Sequence, residues 1–259
     1  MAYYKRIIYC LYFKDNHFFL SRNFRLQKVG DLNWLIKNFE FGLTASYVDE
    51  LMIILVKSNP NKDDFDNFFQ NVENLKKNIF IPIILGGSID SLDMAKKFFE
   101  KGADKISVNT LSYEKNNTVT KISNLYGSQS ISIMVDYKRN ENEINLYSHC
   151  GTNLQNINFT SHLNNIKNLG IGEIILNSID NDGNGAGLDL DIVKNIKLDF
   201  SNPILLMGGA GKPDHLSEAL QIDRVSGIIT ANLFNFLGTG LNIARKKLIE
   251  ENINVVDFG

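Results

Sequence analysis

Pro203-Ile204-Leu205-Leu206-Met207-Gly208-Gly209-Ala210-Gly211 is an apolar run that ends in a cluster of glycines. Small residues there let backbone N–H groups approach an anion. Lys212-Pro213-Asp214 follows, with proline where a helix start favours it, because its missing N–H would have had no partner in any case. The pattern is strand, phosphate-sized loop, helix. A single Gly-Gly pair is more often a tight turn than a ligand site, but this one has a twin. Pro82-Ile83-Ile84-Leu85-Gly86-Gly87-Ser88 lies roughly 120 residues earlier and again precedes a helical pattern, the sign of an internal repeat.

Outward from these two stretches, short apolar runs alternate with segments of helical period. The runs are residues 7–13, 51–56, 82–85, 105–108, 130–135, 173–176, 203–207 and 227–229. Each has the continuous hydrophobicity of a strand buried on both faces, as a parallel sheet demands. Phe65, Phe68, Phe69, Val72 and Leu75 fall at helical spacing, as do Leu92, Ala95, Phe98 and Phe99. Residues 113–125, 162–169, 190–196, 215–220 and 243–249 supply further helices, with Gly127 and Gly170 where a helix C-terminus favours glycine. Eightfold alternation makes this an α/β chain and predicts a single (β/α)8 TIM barrel spanning residues 1–259. An open doubly wound sheet is the second choice. Tyr12 falls opposite Asp136, Asp49-Glu50-Leu51 opposite Gly172-Glu173-Ile174, and one glycine loop opposite the other, so two half-barrels are expected, roughly 1–124 and 125–247.

A chain of 259 residues, 44% hydrophobic and 22% charged, with only four prolines, reads as an ordinary globular protein. Its net charge of −2 and the lack of any Lys/Arg run argue against a nucleic-acid partner. The apolar run 7–13 is too short to span a bilayer and lacks a secretory cleavage site, so no membrane role and a cytoplasmic location are expected. Cys10 and Cys150 read as two buried thiols of a reduced compartment. His17, His149, His162 and His215 have no metal-ligand spacing, so neither a metal nor another cofactor is expected.

In such a barrel, functional groups gather at the C-terminal ends of strands. Two anion sites suggest themselves: Gly86, Gly87 and Ser88 with Asn109 and Thr110, and Asp182 and Gly183 with Gly209, Ala210 and Asn232. Backbone amides and small polar side chains suit a phosphate, and the paired glycines favour that over simple loop capping for Asn109, Thr110 and Asn232. Two such sites imply a long, doubly phosphorylated small molecule.

Three stretches carry a resemblance: Ala103-Asp104-Lys105-Ile106-Ser107-Val108-Asn109-Thr110, Gly172-Glu173-Ile174-Ile175-Leu176-Asn177-Ser178-Ile179-Asp180-Asn181-Asp182-Gly183, and Gly208-Gly209-Ala210-Gly211. With residues 6–11 and 41–51, they closely resemble the cyclase subunit of imidazole glycerol phosphate synthase over nearly the whole chain. The resemblance implies a barrel lyase of histidine biosynthesis, paired as a heterodimer with a glutaminase whose ammonia enters at the barrel bottom and reacts at the top. It further implies an acid–base pair of aspartates on the first and fifth strands. Asp136 matches the fifth-strand aspartate, but the first-strand position is Tyr12, a phenol and a poor base at neutral pH. Leu20 stands where the family carries a loop lysine, Leu55 at a second-strand aspartate, and Ser88 at a third loop glycine. Arg6, Glu50, Lys105 and Glu173 match the family's charged ring at the ammonia entrance, and Asp104 a residue that couples the glutaminase. The bland reading of such charges is a set of solvated ion pairs.

Three readings follow. One is a genuine cyclase with a depleted site. Another, which the Tyr12 departure favours, resembles bacterial paralogues that pass ammonia to a sugar amidotransferase installing acetamidino groups on surface sugars. The related single-chain sugar-phosphate isomerase is the third, and it would not need the ring.

Overall fold

The computed structural model describes residues 4–39, 47–77, 79–141, 143–194, 196, 201–231 and 240–258. Among the described residues twelve strands form one sheet: β1 (Arg6–Lys14), β2 (His17–Arg22), β3 (Arg25–Gly30), β4 (Glu50–Leu55), β5 (Ile83–Gly86), β6 (Lys105–Val108), β7 (Ile131–Asn140), β8 (Glu143–Ser148), β9 (Asn153–Leu154), β10 (Glu173–Ser178), β11 (Ile204–Met207) and β12 (Val225–Thr230). Eight of them run parallel in the order β1, β4, β5, β6, β7, β10, β11, β12, and β12 pairs back onto β1 through Arg6 opposite Gly227 and Tyr9 opposite Thr230. The sheet is therefore a closed barrel with helices between its strands, the (β/α)8 architecture that the alternating pattern predicts.

Successive strand side chains point to opposite faces, so each barrel strand serves two cores. Ile7, Tyr9, Leu11 and Phe13 of β1 face outward to the helices. Ile8, Cys10 and Tyr12 face inward with Met52, Ile84, Met134, Ile175, Leu205, Met207 and Ile229. The helix Lys62–Lys76 shows how the outer layer is specified: Asn61 and Asp64 make a reciprocal capping box, and Phe65, Phe68, Phe69, Val72 and Leu75 form the buried stripe. Phe68 packs 5.6 Å from Phe13 and 5.9 Å from Phe98, centroid to centroid. Among the described residues no helix is long and apolar enough to cross a membrane.

Several local expectations change. The helix expected over residues 113–125 is two, Leu111–Glu114 and Asn116–Tyr126, broken where Lys115 leaves helical geometry at φ −140° and ψ 56°. The helix Leu32–Phe39 and the strands β2, β3, β8 and β9 have no counterpart in the apolar runs, because these segments mix polar and apolar residues and are only half covered. Cys150 is exposed rather than buried: it sits in the turn between β8 and β9, where His149, Cys150 and Gly151 all adopt positive φ. Of the expected helix over 190–196, Asp191–Lys194 is helical.

Candidate functional site

At the upper end of the barrel, β1, β6, β7 and β10 bring Tyr12, Asn109, Asp136 and Asn177 around one cavity of about 1190 Å³. Asp136 is 5% exposed and is held on both sides: Asn177 Nδ2 donates to its Oδ1 at 2.8 Å and Asn109 Nδ2 to its Oδ2 at 3.1 Å. Burial pushes its carboxyl up to about 7, with Asp182 adding to the rise and the Asn177 hydrogen bond opposing it. Tyr12 is 7% exposed, and burial followed by the Asp182, Cys10 and Asp136 charges pushes its phenol further above the ordinary tyrosine value. A phenol so placed keeps its proton. Asn177, which sequence reasoning did not single out, completes the pair of amides around Asp136. Its place on β10, four residues after Glu173 and so on the same inward face, was the available signal.

The first glycine loop opens into this cavity. Gly87, Ser88, Asn109 and Thr110 all line it. Gly87 has φ +106°, and a Cβ there would lie 2.1 Å from the Leu55 carbonyl oxygen, so only glycine lets the loop close against β4. Ser88 takes the left-handed conformation at φ 54° and donates through its hydroxyl to the Lys57 carbonyl at 3.0 Å. Thr110 Oγ1 accepts from the His149 backbone N–H at 3.2 Å.

The residues of the second anion site do not line this cavity. Gly209 and Ala210 are buried, and the segment after β10 packs on them: Gly187 N–H donates to the Gly209 carbonyl at 2.9 Å, and a Cβ on Gly209 would lie 2.1 Å from the Gly187 oxygen. Asp182 is buried under the tip of the β2–β3 hairpin, accepting from Ser21 Oγ at 2.5 Å and from the Phe24 backbone N–H at 3.0 Å. Asn23 at the same tip donates to the Ile179 and Asp180 carbonyls at 3.0 and 2.9 Å. Gly183 is exposed beside it, and Asn232 lies outside the described residues. Leu20 is carried on this hairpin, half-buried against the outer core, and Leu55 is buried.

At the lower end the four charges close a ring. Arg6 reaches Glu50 Oε1 at 2.5 Å and Glu173 Oε2 at 2.6 Å; Lys105 reaches Glu50 Oε2 at 3.1 Å and Glu173 Oε1 at 2.8 Å. Burial alone would raise the Glu50 carboxyl, but Arg6 and Lys105 outweigh it and hold it below the ordinary glutamate value. Asp104, exposed beside the ring, accepts from the Ile83 backbone N–H at 2.8 Å. Between ring and cavity the barrel is filled by the inward apolar side chains of the second core.

A prediction arises from Asp136. The folded carboxyl titrates near 7 against 3.8 for its ordinary value, so between these pH values the unfolded chain is ionised while the folded one still holds its proton. Stability from this group is thus lost as pH rises through 7. Asp136→Asn is expected to match the parent at about pH 4 and to exceed it at pH 8 by up to about 4 kcal/mol. The new amide can accept from Asn109, which keeps its bonds to the Met134 and Tyr147 carbonyls, and donate to Asn177, whose Oδ1 has no partner among the described residues and can be presented by a side-chain turn. Urea melts at the two pH values check this; a variant less stable at pH 8 overturns it.

Comparison with known proteins finds relatives that match most of the chain. The profile of the family described as Histidine biosynthesis protein matches residues 43–239. A protein provisionally named imidazole glycerol phosphate synthase subunit hisF2, from Parasynechococcus marenigrum, is 38% identical over 94% of this chain and 90% of its own. The imidazole glycerol phosphate synthase subunit HisF of Methanocaldococcus jannaschii is 30% identical over 90% of this chain and 91% of its own. That of Chlorobium phaeobacteroides (strain DSM 266) is 29% identical over 97% and 98%. With a barrel, a strand-end cavity and matches of this extent, the chain belongs to the histidine biosynthesis protein family, among the HisF-like cyclase subunits of imidazole glycerol phosphate synthase.

Proposed function

We propose that this chain takes ammonia from a glutaminase partner docked at the lower end of the barrel and delivers it to an acceptor in the upper cavity other than the substrate of histidine biosynthesis. A phosphorylated or sugar-amidotransferase-bound small molecule, amidinated there for a bacterial surface sugar, is the acceptor class this reading favours. The observation that carries it is the contrast between the two ends. The ring of Arg6, Glu50, Lys105 and Glu173 is complete, with all four ion pairs made, whereas the upper site has Tyr12 where the resemblance implies a carboxylate.

Physical chemistry supports the direction of travel. An apolar barrel interior admits neutral ammonia but penalises ammonium, whose charge would lose its hydration without a partner. The carboxylates of the ring at the entrance hold the cation outside that barrier, and nitrogen passes it as the neutral base. The first glycine loop and Thr110 supply donors for a phosphate at the cavity wall.

The test is made at the ring, away from the upper site. Lys105→Ala leaves Arg6 alone between two carboxylates, and glutamate release by the partner is expected to exceed amination of the acceptor, while free ammonium still supports amination. Asp104→Asn is expected chiefly to weaken partner binding. Glutamate and aminated product are measured together, and unchanged stoichiometry and affinity in both variants would falsify the reading.

The genuine cyclase is the second reading. It is favoured by Asp136, whose carboxyl near 7 is poised to accept and return a proton at neutral pH.

A further inference from the structure

The hairpin of β2 and β3 is basic in a chain whose net charge is −2. Residues 16–30 hold Arg22, Arg25 and Lys28, all exposed, and no aspartate or glutamate. Arg22 and Arg25 lie directly opposite each other, flanking a turn in which Asn23 and Phe24 take positive φ of 51° and 63°. Like charges so placed repel, and neither arginine makes an ion pair among the described residues. Side chains alternate along a strand: Ser21 and Leu26 line the upper cavity, so Arg22 and Arg25 point to the opposite face, away from it. The tip is fixed in this pose by the hydrogen bonds of Ser21, Asn23 and Phe24 to Ile179, Asp180 and Asp182. Beside it the helix Leu32–Phe39 exposes Ile36 at 42% and Trp34, the chain's sole tryptophan, at 37%, with the indole laid against Gly30 at the end of β3.

We propose that the outer face of this hairpin, together with Trp34 and Ile36, docks a second, acidic protein at the rim of the upper cavity. A small anion inside the cavity is not what these arginines address, because they face away from it. Carboxylates of a partner laid over both guanidinium groups relieve the cross-strand repulsion, and each arginine offers a carboxylate two parallel donors. The exposed indole and isoleucine add apolar contact, which a protein surface returns and a sulfated or phosphorylated polymer does not. Tryptophan and arginine are also the side chains that carry most of the binding energy at protein interfaces. Because the tip is already held, little ordering remains to be done on binding. A glutaminase at the lower end leaves this face open, so both partners can be held at once. That the second partner carries the acceptor rests on the reading of the chain as an ammonia-delivering barrel; the surface itself does not.

The experiment uses the full chain, in which Trp34 emission reports on this surface because no other tryptophan is present. The probe is a random glutamate–tyrosine copolymer, which pairs carboxylates with apolar rings, titrated at low salt with excitation beyond the tyrosine band. Heparin, anionic without apolar groups, and phosphatidylserine vesicles are the controls. A saturable blue shift is expected with the copolymer, weakening as salt rises, and binding at least about 10-fold weaker with either control. The double variant Arg22→Ser with Arg25→Ser removes a repulsion, so it is expected to melt no lower than the parent, and to bind the copolymer at least about 10-fold more weakly. Heparin or vesicles binding as tightly as the copolymer, no saturable shift, or an undiminished response in the double variant overturns the surface. A saturable shift alongside unchanged stoichiometry in Lys105→Ala would sink the reading of the lower ring alone; partner-dependent nitrogen transfer without the shift would sink this surface alone.

Discussion

Supplied with ammonium and the doubly phosphorylated substrate of histidine biosynthesis, the protein is expected to form imidazole glycerol phosphate at least ~100-fold more slowly than a relative with carboxylates at both strand ends. A positioned acid or base contributes about 10²- to 10⁴-fold, and one of the two is missing. Tyr12 cannot replace it as a base, because burial and the neighbouring Asp182 and Asp136 charges move its phenol still further from neutrality. Asp136 alone, near 7, must then both give and take protons. Steady-state rates with free ammonium, which bypasses any partner, are the measurement. Normal growth of a cyclase-deficient strain carrying this chain would return the genuine cyclase to first place. Tyr12→Asp separates the causes: a gain of more than about 10-fold assigns the deficit to that one position, and no gain spreads it to Leu20, Leu55 and the loop at Ser88.

Arg245→Ala is expected to be the most destabilising single change considered. Arg245 is 3% exposed in the helix Gly240–Glu250, and its guanidinium serves four partners: the Tyr47 carbonyl at 3.1 Å from both Nε and Nη2, Asp49 Oδ2 at 2.7 Å, the Val256 carbonyl at 2.7 Å, and the Phe258 ring with its centroid 4.3 Å away. Asp49 Oδ2 in turn accepts from the Ile7 backbone N–H of β1 at 2.7 Å. One side chain thereby ties the C-terminal helix and tail to the start of the barrel. Truncation leaves the Asp49 carboxylate, whose side chain is only 9% exposed, without its cation, which costs about 3–5 kcal/mol. For a chain of this size that corresponds to a melting temperature lower by about 10 °C. Urea melts of Arg245→Ala, Arg245→Lys and the pair Arg245→Ala with Asp49→Asn give the size and the cause. A loss under about 1 kcal/mol sinks the argument, and partial recovery in the double variant identifies the orphaned carboxylate as the source.

Neither the Asp136 constellation nor the Arg245 clamp has a local signature. Asp136 and Asn177 lie 41 residues apart and Arg245 and Asp49 lie 196 apart, and they meet because neighbouring strands are in register, Asn177 beside Asp136, and because the last helix returns to the first strand. The ring was legible as residue types at strand starts, since Arg6, Glu50, Lys105 and Glu173 each open a barrel strand. Its closure by four ion pairs was not, because pairing depends on the radius of a barrel that exists only once eight strands are joined.

What the sequence determined by itself is the architecture and the chemical stock of the two ends. Continuous apolar runs can be buried only on both faces, helical stripes can cover only one, and paired glycines mark where the chain must turn closely at a strand end. The tertiary structure alone decided which of that stock works together. It opened the first glycine loop to the cavity and packed the 181–187 segment onto the second. It also laid the β2–β3 hairpin over Asp182 and set two asparagines against one buried carboxylate. The reason is that local pattern reports how a segment partitions between water and core, a property of neighbours in the chain. Hydrogen-bond partners and proton affinities depend on distance and exclusion of water, and these come into being when remote segments share one small volume.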